Sequence, residues 1–116
     1  MARFEALLAP VRDLEAARAC IDQLAQEWQS VPDWLDGRNA SLTVHVASTG
    51  LQVKLLLELQ HSGQLGVLIT SREGMGAGAL QSKVILEQLL AELQRRLPGV
   101  QVLFRSDRDG PIRQRA

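Results

Sequence analysis

Tyrosine is absent, and two Phe and two Trp are the only aromatic side chains in 116 residues. Scattered as Phe4, Trp28, Trp34 and Phe104, they are poorly placed to stack successive bases, which argues against a single-stranded nucleic-acid platform. The core must therefore be aliphatic, and chiefly leucine. Net charge is also lacking. Thirteen Lys and Arg balance thirteen Asp and Glu, so the chain as a whole has no field to draw it to nucleic acid or an anionic membrane. A lone cysteine, Cys20, permits no internal disulfide and fits a reducing compartment. Its neighbours Ala16, Ala17, Leu24 and Ala25 mark it as a small buried hydrophobe. No apolar run approaches the roughly 20 residues of a spanning helix, and the N-terminus lacks a charged-then-apolar signal pattern, so the expected location is the cytoplasm, without membrane insertion.

What is present is alternation. Leu51, Val53, Leu55, Leu57 and Leu59 face one way, while Gln52, Lys54, Glu58 and Gln60 face the other, the period of a strand with one covered face. Leu42, Val44 and Val46 precede it with the same period, with Thr43 and His45 opposite, and Ser48, Thr49 and Gly50 supply the turn. His61, Ser62, Gly63 and Gln64 form a hairpin connection to Leu65, Val67 and Ile69, giving an antiparallel meander. Leu56 and Leu68 break its polar face, which implies cover, by the first helix or by a partner.

Helical spacing dominates elsewhere. Phe4, Leu7, Leu8, Val11, Leu14, Ile21, Leu24 and Trp28 form an amphipathic stripe to about Ser30, interrupted by Pro10. Asp13 and Glu15, acids suited to a first turn, favour a short turn and then a helix starting near Pro10 over a helix kinked there. Val31 to Ala40 is rich in turn formers, with Trp34 and Leu35 expected to fold back onto the core. A Gly-rich link from Glu73 to Ala79 leads into a helix carrying Leu80, Val84, Leu86, Leu90, Leu93 and Leu97, widened by Ile85 and Leu89 and stopped by Pro98 and Gly99. Val100, Val102 and Phe104 alternate as a last strand. The expectation is one α+β domain, residues 1–116, with element order α-β-β-β-α-β and a mainly antiparallel four-stranded sheet under two helices. Residues 1–40 hold the first helix and its connection, 41–105 the sheet and second helix, and 106–116 a frayed tail in which Arg108, Arg113 and Arg115 are interrupted by Asp107, Asp109 and Pro111. The right-handed crossover should set the last strand parallel to a neighbour. Val53, Leu55, Leu57, Val67, Ile69, Leu86, Leu90, Leu93 and Val102 are the expected core.

Gly74, Gly76 and Ala79 spell G-x-G-x-x-A, a spacing that can cradle a pyrophosphate, but one strand-helix-strand unit does not make a dinucleotide fold and four residues separate the strand from the first glycine. No cofactor is expected. His45 and His61 lack companions at ligand spacing, so no metal is expected either. Glu73 and Glu87 could serve as acid or base, yet no paired carboxylate or nucleophile adjoins them. The chain reads as a binding domain without catalysis.

The stretch from Gly50 onward resembles the C-terminal substrate-specificity-switch domain of type III secretion needle-length and flagellar hook-length regulators. Thr49-Gly50 stands at that family's Leu-Gly turn, Gly50, Val53 and Leu55 fall on its Leu-Gly-x-Val-x-Ile stretch, and Ile85 through Leu97 is similar to its Leu-rich helix. Ala47-Ser48 replace its Pro-Glu dipeptide, and Leu51 is an extra residue. The resemblance implies binding to the cytoplasmic domain of the export-gate switch protein, and is compatible with export through the apparatus without a cleavable signal. A mobile Gly-rich loop can order on such a partner, which makes Arg72, Glu73, Gly74, Gly76 and Gly78 the expected contact residues. A secretion chaperone or other cytoplasmic adapter, which also begins helix, three strands, helix, is the alternative.

Overall fold

Alternation begins earlier than the helical spacing suggests. In the computed structural model, which describes residues 1–109, Ala2–Ala9 is a strand, β1, burying Ala2, Phe4, Ala6 and Leu8 and turning Arg3, Glu5 and Leu7 to the other face. The expected helix after Pro10 is present as α1, Leu14–Glu27, but the expected helix-first order is corrected: a strand stands where a short turn was expected, and Pro10 follows its end. Asp13 caps it, its Oδ1 accepting from the Ala16 amide at 3.1 Å.

The remaining elements are β2 (Asp33–Trp34), β3 (Asn39–Val46), β4 (Leu51–Leu59), β5 (Leu65–Ser71), α2 (Leu80–Arg96), β6 (Gln101–Arg105) and a short helical turn α3 (Ser106–Asp109). The α+β class and antiparallel meander β3-β4-β5 stand, but six strands replace four, in the order β2-β3-β4-β5-β1-β6. Every neighbouring pair is antiparallel. The crossover β5-α2-β6 leaves a gap one strand wide, which β1 fills. The expected parallel neighbour of the last strand is therefore an antiparallel one.

Both helices contribute to one core with the even residues of β1 and the odd residues of β4 and β5. Of the expected core, eight residues are buried and Val102 is partly buried against it. Cys20 is also buried, which pushes its thiol pKa up. A register shift opposite Leu7 and Leu8 breaks the last strand's alternation: Val102 pairs with Leu8 and Phe104 with Leu7, so their side chains fall on opposite faces. Leu103, the extra residue, is exposed.

Trp34 leans on the core and is held to α1, donating from Nε1 to Asp22 at 2.8 Å under the Arg18 guanidinium. Leu35, expected inside, is exposed, because β2 is only two residues long and ends at Trp34. The helices are tied at their C-termini by Arg96, which donates to Glu27 and Glu92; hydrogen bonds from Arg95 and Arg96 hold the Glu92 carboxyl down to about 2. Residues 106–109, expected within the frayed tail, are anchored: Ser106 Oγ accepts from the Glu5 amide at 2.9 Å and Asp109 accepts from the Arg105 amide at 2.8 Å. Arg113 and Arg115 lie outside the described residues. No helix among the described residues is long and apolar enough to cross a membrane.

Candidate interaction surface

Where β5 gives way to α2, a polar knot fixes the loop. Ser71 Oγ and Ser82 Oγ are buried 2.7 Å apart, and Ser71 Oγ also accepts from the Glu73 amide at 3.1 Å. That turns the Glu73 carboxylate back onto the first turn of α2, where Oε2 accepts from the Gln81 amide at 3.0 Å and Oε1 from the Ser82 amide at 2.8 Å. Burial disfavours the charged carboxyl, but these amides outweigh it and hold its pKa below the ordinary carboxylate range. The positive end of α2 is thus neutralised by the chain's own anion. Two of the amides that a pyrophosphate on this Gly-rich loop would use are already engaged.

From Glu73 the chain passes a 3₁₀ turn, Met75–Ala77, and two left-handed residues, Gly78 at φ 84° and Ala79 at φ 48°, before the helix. Only Gly78 and Ala79 carry this backbone demand; Gly74 and Gly76 have open space where a Cβ would stand. Thr49 Oγ1, from the β3-β4 turn, donates to Gln81 at 2.6 Å and braces the helix start.

On this frame stand exposed apolar side chains, two of which, Leu80 and Val84, belong to the apolar spacing of the helix. Leu80 is 65% exposed and Val84 52%, one helical turn apart, with Met75 48% exposed in the turn before them. Their exposure follows from helix phase. At 3.6 residues per turn Leu86, Leu90, Leu93 and Leu97 fall within about 60° of arc, and Leu80 and Val84 lie some 80° or more outside it. The buried stripe is completed by Ser82, Ile85 and Leu89. Ile85 lies as far from that arc on its other side and is buried, so it is the side of the arc on which the core lies that exposes Leu80 and Val84.

The expected contact residues divide. Arg72, Gly74, Gly76 and Gly78 are exposed beside this patch, whereas Glu73 is committed to the helix. Gly50, at φ 73°, turns β3 into β4, while Val53 and Leu55 are buried in the core and are not surface. His45 and His61 are exposed and belong to separate elements, and Glu87 receives Arg105, whose hydrogen bond holds it ionised below the usual range. No group of three or more His, Cys, Asp or Glu among the described residues could hold a metal ion. No protein-family model matches the chain, and no curated protein matches it in sequence.

The Glu73 geometry makes a prediction. Glu73→Ala should cost about 1–2 kcal/mol at neutral pH, the range of a lost helix cap. Because its folded pKa is lowered, the contribution is complete above the ordinary carboxylate range and disappears as pH falls through the lowered value. Urea denaturation of both proteins at a series of pH values should show their stability difference shrinking in acid; a pH-independent difference would contradict the role.

Proposed function

We propose that this chain is a non-enzymatic docking domain and, on the resemblance of the segment from Gly50 to Leu97, the specificity-switch module of a type III secretion length regulator. The observation that carries the docking reading is the uncovered Leu80–Val84 face beside Met75 and Arg72, on a loop whose base is pinned by Glu73. Apolar side chains held by a braced helix can bury against a partner without loss of order in the domain itself. The occupant proposed is the cytoplasmic domain of the export-gate switch protein. The adapter alternative drew on a helix-first element order, and the first element is a strand.

A pull-down of the folded domain against that cytoplasmic domain tests the reading. Binding by the wild type is expected, with Leu80→Asp/Val84→Asp weakening it by about 10-fold or more and Arg72→Glu by less. Glu73 is an unsuitable probe, since reversing its charge would disturb α2. Failure of the folded wild type to bind would refute the family assignment, while binding indifferent to the Leu80 and Val84 changes would refute this surface.

A further inference from the structure

The second face of the sheet carries a pattern that complements itself. Both helices lie on the core side, so Lys54, Leu56 and Glu58 of β4 are exposed together on the other, and Leu56 is paired across to Leu68 of β5. The expected cover of these leucines by the first helix is therefore corrected. Leu56 borders a shallow depression of about 310 Å³ that Leu68 and Leu7 also line. Lys54 and Glu58 belong to none of the ion pairs among the described residues, Glu58 accepting only from Gln60 Nε2 at 3.2 Å. The charges sit two residues to either side of Leu56, each about 7 Å along the strand.

We propose that this face pairs with a second copy of the chain, through a two-fold axis that lies between the sheets and crosses β4 at Leu56. Rotation about such an axis reverses the strand direction, so Lys54 of one copy meets Glu58 of the other, twice, around a central contact of Leu56 and Leu68 with their counterparts. Sheets packed face to face stand about 10 Å apart, a distance these side chains bridge. A parallel arrangement would oppose Lys54 to Lys54 and is disfavoured, so the charges select the register as well as the partner. Glu5, at the end of the Leu56–Leu68 row, enters with its own counter-charge, Arg3, at 2.7 Å.

Sedimentation equilibrium across a dilution series tests this independently of the loop surface. The wild type is expected to be a dimer at about 100 μM, with Leu56→Glu and Lys54→Glu each raising the dissociation constant by about 10-fold or more. The decisive variant is Lys54→Glu/Glu58→Lys, which the two-fold predicts to restore the dimer to within about 3-fold of wild type, since each reversed charge again meets its opposite. Thermal melts confirm that each variant is folded. A monomeric wild type overturns the proposal, as does a dimer untouched by Leu56→Glu. A folded double variant that stays monomeric overturns the register.

Discussion

Leu55→Ala is expected to lower stability by about 2–5 kcal/mol and the melting temperature by about 10 °C or more. Leu55 is fully buried in the middle of β4, between Leu42 on β3 and Ile69 on β5, themselves almost wholly buried. With strands on both sides and helices over its face, the site has little freedom to collapse around the missing atoms. A central position in the sheet therefore pushes the expected loss toward the upper part of the range. Because such a loss is a large share of a small domain's stability, a binding defect in this variant reports unfolding before it reports contact. A thermal melt within about 3 °C of wild type would contradict the packing described.

Removing Arg105 should be comparably severe. Its guanidinium is buried at the junction of β6, α2 and α3, where Nε and Nη2 donate to the two oxygens of Asp107 at 3.0 and 2.8 Å, and Nη2 also donates to Glu87. Only 5% of the Asp107 side chain is exposed, so Arg105→Ala would leave a carboxylate with little water to replace its partner. The expected cost is about 3–5 kcal/mol, read by chemical denaturation. Arg105→Lys keeps the charge but not the planar fork, and should recover only part of it. A neutral Arg105→Ala would show that α3 does not depend on this ion pair.

The candidate surface was legible in part. Arg72 and the Gly-rich loop follow from composition and from their place between a strand and a helix. Leu80 and Val84 needed the side of the Leu86-to-Leu97 arc on which the core lies, which spacing alone does not define. Glu73 looked like a free charge because its partners, Gln81 and Ser82, are backbone amides, and side-chain chemistry gives no sign of them. The Lys54–Leu56–Glu58 pattern was visible as a broken polar face, but whether a helix covered it was a question of layer, not of spacing.

By itself the sequence determined the meander, the Leu-rich helix with its Pro98-Gly99 stop, and eight core positions on β4, β5 and α2. In those stretches one period runs uninterrupted and neighbouring elements meet through short turns. The N-terminal segment was decided by tertiary structure. Phe4, Leu7, Leu8 and Val11 satisfy helical spacing while Ala2, Phe4, Ala6 and Leu8 satisfy a strand's, and eight residues cannot separate the two. What selects the strand is the gap that α2 leaves between β5 and β6, which offers β1 backbone partners along both edges. A helix there would forfeit both ladders, and that non-local gain outweighs local preference.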